Sequence, residues 1–122
     1  MALSKAEEQL MKHLWQLERC FMKDLLSALP EPKPAKTTVA TLIKRMVDKK
    51  MVGYRTYGNS REYYPLLSKS EYFGKKVKGM ITDFFDDSPA SFASFFTAEA
   101  KFSKEQLEEL REIINQQIKE EE

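Results

Sequence analysis

The sequence has one cysteine, Cys20, and one histidine, His13. A lone thiol closes no internal disulfide and fits a reducing compartment. One His and one Cys cannot supply a structural zinc site. With one His, one Cys and no convergent carboxylates on a predicted cleft, the sequence offers no nucleophile–base pair, so no catalytic residue, metal or cofactor is assigned and an enzyme is not expected. No apolar run approaches the ~20 residues that span a bilayer. The opening Met-Ala-Leu-Ser-Lys-Ala-Glu-Glu reads as a helix start without the apolar stretch of a signal peptide. Repeats and low-complexity tracts are also missing. These absences point to a cytoplasmic chain with no membrane insertion.

What is present is unevenly charged. The 122 residues carry a formal charge of only +1. Residues 1–67 hold twelve Lys/Arg against seven Asp/Glu, whereas residues 68–122 hold eight against twelve. A basic front and an acidic rear imply that the front alone meets a polyanion. At 42% hydrophobic, the length suits one ordinary core, or a small domain with an appendage.

In the front part, Ser4-Lys5-Ala6-Glu7 is a capping box opening a helix with Leu10, Leu14 and Leu17 on one stripe. Trp15 widens that stripe and reads as core; His13 lies off it and is expected in solvent. Met22, Leu25, Leu26 and Leu29 mark a short second helix, which Pro30-Glu31-Pro32-Lys33-Pro34 ends. Three prolines in five residues favour a stiff extended connection. Val52–Tyr57 and Arg61–Leu67 flank Gly58-Asn59-Ser60 and read as a β-hairpin, with Pro65 confining the second strand to a sheet edge.

Between these lies residues 36–50, read as the third helix. Val39, Leu42, Ile43 and Met46 recur at i, i+3, i+4 and i+7 and form its buried stripe. Thr37, Thr41 and Lys44 point away, with Ala40 and Arg45 on the flanks. This face is small, hydroxyl-rich and basic, so it can approach a surface closely and bond to phosphates and base edges. Two readings follow: a helix shaped for a DNA major groove, or a solvated amphipathic helix with cationic ends. Arg45 has its own alternative, an intrahelical pair with Asp48. Arg55 and Arg61 flank the hairpin turn, where they could touch a phosphate backbone.

The rear, residues 68–122, is expected to be helical. Ser68 opens a helix bearing Phe73, Val77, Met80, Ile81 and Phe84; Ser88-Pro89 starts a second with Phe92, Phe95 and Phe96. Ser103 caps a third with Leu107, Leu110, Ile113, Ile114 and Ile118. Seven of the eight phenylalanines fall after residue 67, more apolar surface than three short helices bury alone. It can pack on the front part or on a second copy. The second copy is preferred, with Phe84, Phe92, Phe95, Phe96, Leu107, Leu110, Ile113 and Ile114 as the dimerisation residues.

The expected fold is therefore mainly α with a small β-hairpin: a winged helix-turn-helix domain, 1–67, and a C-terminal helical dimerisation region, 68–122. In this order of elements the chain resembles the penicillinase and methicillin-resistance repressor family (BlaI/MecI type). The likeness is carried by Leu3-Ser4-Lys5-Ala6-Glu7-Glu8 with Trp15, by Lys23-Asp24-Leu25-Leu26 and by Thr38-Val39-Ala40-Thr41-Leu42-Ile43-Lys44-Arg45. Tyr63-Tyr64-Pro65-Leu66 and Phe102–Arg111 complete it. The resemblance implies a homodimeric repressor on a double-stranded, dyad-symmetric operator, released when a membrane sensor-protease system cleaves the dimerisation region. Thr37, Thr38, Ala40 and Thr41 match its base-reading part; Lys36, Lys44, Arg45, Arg55 and Arg61 would neutralise phosphates. Family members often hold arginine where this chain has Ala40, so their operator sequence does not carry over. Their scissile bond is typically Asn-Phe; the matching pair here is Phe95-Phe96, so either release does not run through cleavage at this bond or the protease has another preference. The copper-responsive relatives' cysteine-rich end is lacking. The rival function is a winged helix that docks an acidic protein partner.

Overall fold

The computed structural model describes residues 3–122, so Met1 and Ala2 of the expected helix start lie outside the described residues. Among these residues it holds six helices and a three-stranded antiparallel sheet, in two compact units, Met1–Gly74 and Lys75–Glu122. In the front unit α1 (Lys5–Leu17), β1 (Cys20–Phe21), α2 (Met22–Ala28) and α3 (Lys36–Asp48) precede the hairpin of β2 (Val52–Tyr57) and β3 (Ser60–Pro65). This is a winged helix-turn-helix. The first turns of α4 (Lys69–Phe84) belong to the same unit and bury Tyr72.

Apart from α3, these helices start where side chains satisfy amides at their N-termini. Ser4 Oγ accepts from the Glu7 amide and Glu7 Oε1 from the Ser4 amide; Ser68 and Glu71 repeat the exchange at α4. At α2 the Phe21 amide donates to Asp24 Oδ2 at 3.0 Å. The proline-rich connection also closes α2 from behind: Lys33 Nζ donates to the carbonyls of Leu26, Ser27 and Leu29 at 2.8–3.1 Å. Those are orphan acceptors of a helix end, which a cation suits.

The core gathers Leu10, Met11 and Leu14 of α1, Leu25 of α2, and Val39, Ile43 and Met46 of α3. Trp15 is half-buried; its indole N–H donates to Leu67 O at 3.0 Å and its ring meets Tyr72 and Phe73. His13, expected in solvent, is half-buried, because it stands three residues after Leu10 and four before Leu17, on the flank of the stripe. Cys20 is buried, and burial followed by the nearby charges of Asp24 and Glu62 pushes its thiol up to about 11. A thiol so protonated at neutral pH is inert.

The sheet corrects one expectation. Its order is β1-β3-β2, so the strand bearing Pro65 is central and not an edge. Pro65 is tolerated because the two-residue β1 reaches only Glu62 and Tyr63, leaving Pro65 beyond its end, opposite Val52 of β2. Gly58 at φ +59 supplies the turn, and Gly53 lets the Tyr64 ring close in: an added Cβ would meet it at 2.9 Å.

The third helix ends at Asp48, two residues before the expected stop. Lys50 adopts φ +63, its amide bonds to Val47 O at 2.9 Å and that of Met51 to Met46 O at 3.0 Å. This is a Schellman ending, with buried Met46 and Met51 in its two apolar positions. Lys49, the cap residue, reaches Glu7 Oε1 at 2.6 Å. Glu7 is buried in α1 and its Oε2 has no hydrogen-bond partner among the described residues. Burial pushes its carboxyl up, but hydrogen bonds from Lys49 and Ser4 and the charge of Lys49 outweigh that and hold it below the ordinary glutamate range.

In the rear unit α4 ends before Asp86 and Asp87, both at positive φ, and α5 (Pro89–Glu99) and α6 (Lys104–Glu121) follow. Ser88 Oγ and Ser103 Oγ cap them. Neither helix buries a single residue.

The Glu7–Lys49 contact yields a prediction. A carboxyl held low contributes stability above its ordinary range, lost as pH falls through its depressed value. Glu7→Gln is expected to cost about 2 kcal/mol at neutral pH, below the usual penalty for splitting a buried pair because Lys49 keeps 28% of its side chain exposed. Urea unfolding of both proteins from pH 7 down to pH 3 checks it: the gap should close on acidification.

Candidate nucleic-acid interface

Helix α3 presents the surface. With Val39, Ile43 and Met46 fixed in the core, Lys36, Thr37, Thr38, Ala40, Thr41, Lys44 and Arg45 are all exposed. Ala35 at the N-cap offers no side-chain acceptor, so the positive end of the helix dipole is left uncapped beside Lys36. Among the described residues no salt bridge joins Arg45 to Asp48, so its guanidinium is not tied within the helix.

Thr41 is more constrained than its exposure suggests. Its hydroxyl donates to Thr37 O at 2.9 Å. With its proton committed to the helix, the oxygen faces outward as an acceptor beside a methyl.

The wing stands next to this face. Side chains alternate along the strands, and directly paired residues share a face. Tyr54 pairs with Tyr63, and Thr56 with Arg61; Arg55 pairs with Glu62 on the other face. The two turn-flanking arginines, grouped together on the sequence, thus point to opposite sides. Arg61 shares its face with Tyr54 and Tyr63, and these three line a groove against Ala40, Lys44 and Asp48 of α3. Arg61 also walls a second, open groove of about 680 Å³ with Lys23 at the start of α2, Lys36 at the start of α3 and Tyr57 at the wing tip.

The sequence gives no reason to place Lys23 at this surface. Its position becomes visible only when β1 seats the start of α2 against the wing, and a two-residue strand has no periodicity to announce it. The combined surface carries cations at both ends of α3 and on the wing, around a small, uncharged middle. Among the described residues no three His, Cys, Asp or Glu side chains cluster as a metal site needs. No helix among them is long and apolar enough to cross a membrane.

In the rear unit, the residues assigned to dimerisation divide. Phe84, Phe95, Phe96, Leu107, Ile113 and Ile114 are exposed, Phe84 to 78%, while Phe92 and Leu110 are half-buried. Phe85, Phe92, Phe95, Phe96 and Phe102 form a chain of ring contacts 5.2–5.8 Å apart, so part of this aromatic surface is met within the unit.

Comparison with known proteins gives consistent matches. A family model described as Penicillinase repressor matches residues 3–116. The methicillin resistance regulatory protein MecI of Staphylococcus aureus (strain N315) is 25% identical over 114 residues, 93% of each chain. MecI of Mammaliicoccus sciuri is 24% identical over the same span. In three dimensions, the solution structure of the DNA binding domain of the repressor BlaI aligns with a TM-score of 0.51 at 22% identity, covering 57% of this chain and 87% of that one. That last likeness is one of fold.

Lys23→Ala should weaken binding to a random-sequence duplex and flatten the log–log salt dependence by about one unit of slope. Titrations between low and moderate salt check it. An unchanged slope would remove Lys23 from the interface.

Proposed function

The chain belongs to the penicillinase repressor family, and from that premise we propose that it is a homodimeric transcriptional repressor, setting α3 of each copy into the major groove of a dyad-symmetric operator. The observation that carries this reading is the exposed α3 face, small and uncharged in its middle and ringed by cations. MecI is a regulatory protein, and the part of the repressor BlaI that matches is its DNA binding domain. Thr37, Thr38, Ala40 and Thr41 meet base edges. Lys36, Lys44, Arg45 and Arg61, with Lys23 added, meet phosphates, which position the protein without reading sequence; Arg55, expected among them, is turned to the other face of the wing and does not share that surface. Thr41, already donating to Thr37, suits an exocyclic amine of adenine or cytosine, and the Ala40 methyl suits a thymine methyl.

One helix reads too few base pairs to stand out against a genome. A second copy doubles the site, and the uncovered apolar faces of α4, α5 and α6 supply the contact. Half-sites then fall about one helical turn apart, or a multiple of it. Release by a membrane sensor-protease would require α5, which holds Phe95 and Phe96 in helical backbone, to open first.

Selection of genomic fragments by the purified protein, followed by footprinting, tests the function. Two protected half-sites related by a dyad are expected. Retention of no fragment at physiological salt, with capture of an acidic protein instead, would transfer the surface to a protein partner. On the selected site Thr41→Ala should lower the operator-to-random affinity ratio about fivefold, measured by competition; an unchanged ratio would mean the wrong face was assigned. For the rear unit, Ile113→Asp should shift the mass seen by sedimentation at micromolar concentration from dimer toward monomer. A monomeric wild type would remove the dimer.

A further inference from the structure

Arg61 is held in a way that Arg55 is not. Its guanidinium carbon lies 4.3 Å from the centroid of the Tyr54 ring. That ring is itself backed by Tyr63, directly opposite in the register with centroids 6.1 Å apart. A line of contacts therefore runs from the central strand, through the tilted Tyr54 ring, to the arginine. Strand alternation gives all three one face, which lines a groove against α3, and Arg61 also forms part of the wall of the larger groove. One groove contains Lys44 and the other Lys23 and Lys36, so Arg61 stands where helix face and wing meet. Arg55, on the opposite face, stands across from Glu62.

A long cationic side chain normally loses rotamer freedom when it grips a phosphate, and that loss weakens binding. A planar guanidinium laid on an aromatic face has given up much of it already, while its edge N–H groups stay free to fork onto an oxygen. We propose that Tyr54 is a positioning residue: its ring presets Arg61 at the junction of α3 and the wing to clamp a DNA backbone phosphate beside the half-site. This rests on the DNA-binding reading above. Tyr54 contributes through Arg61, and its own hydroxyl is not part of the contact.

The experiment uses the full chain, a DNA fragment it selects, and four variants: Tyr54→Phe, Tyr54→Leu, Arg61→Ala and the double Tyr54→Leu/Arg61→Ala. Affinity is measured across a salt series. Tyr54→Leu should weaken binding about threefold, the scale of an exposed cation–π contact, with the salt slope unchanged because the charge remains. Arg61→Ala should weaken binding further and flatten the slope by about one unit. The double variant should bind no worse than Arg61→Ala, and Tyr54→Phe, which keeps the ring, should stay within about twofold of wild type. A second measurement needs neither variant nor DNA: in the free wild type, the Arg61 side-chain protons nearest the ring should be shifted upfield by its current.

Normal wild-type binding with additive losses in the double variant would overturn the inference alone. So would a Tyr54→Phe loss as large as that of Tyr54→Leu, which would mean that the hydroxyl touches DNA. An unshifted Arg61 would overturn it even if the leucine variant fails to fold. A wild type that binds no DNA fragment would instead overturn the proposed function, and the phosphate clamp with it.

Discussion

The contact between Glu7 and Lys49 sets where α3 stands. Forty-two residues separate the two in sequence, yet a carboxylate buried at the start of α1 holds the ammonium at the cap of α3. A buried carboxylate without its cation is costly, so the two ends cannot part cheaply. The Schellman ending locks the same spot through the backbone, and Val39, Ile43 and Met46 fix the rotation of the helix about its axis. Position and azimuth together decide which side chains face outward. A helix turned by one residue would bury Lys44 in the place of Ile43 and carry Met46 to the exposed place of Arg45.

That fixed azimuth separates two kinds of chemistry. The outward middle of α3 offers methyls and an acceptor oxygen, groups that discriminate among bases at short range. Cations occupy the ends of the helix, the start of α2 and one face of the wing, where they attract a polyanion at longer range without regard to sequence. In the proposed docking, small side chains in the middle would let the helix approach closely enough for the surrounding long ones to reach phosphates. Ala40 would then give up the bidentate guanine contact an arginine makes and gain proximity.

Much of this was legible in the sequence, for reasons that differ by element. The capping boxes at Ser4, Ser68 and Ser103 are local grammar spanning four residues, and they open helices at those places in the structure. The stripe of α3 was legible because burial imposes a period of 3.6. What escaped depends on contacts distant in sequence or too short to carry a pattern. The two-residue β1 has no alternation to detect, and its pairing made β3 central despite Pro65. Glu7 read only as a cap partner, since nothing local announces Lys49. Lys33 looked like a linker residue, although its ammonium closes α2. Arg55 and Arg61 looked equivalent because the face each takes depends on register.

The rear unit poses the complementary problem, of too much apolar surface for its own fold. The ring contacts from Phe85 to Phe102 join α5 to its flanks, but Leu107, Ile113, Ile114 and Ile118 of α6 remain exposed. The spacing of that stripe limits what can cover it. Leu107, Leu110 and Ile114 begin a heptad pattern, yet the next seam positions hold Gln117 and Glu121, while Ile113 and Ile118 fall outside the seam. A two-stranded coiled coil needs a narrow seam sustained over several heptads. A broad face drifting at 3.6 residues per turn instead suits a groove between helices. In the proposed dimer, α6 seated in such a groove of the second copy would bury Ile113 as well as Ile114.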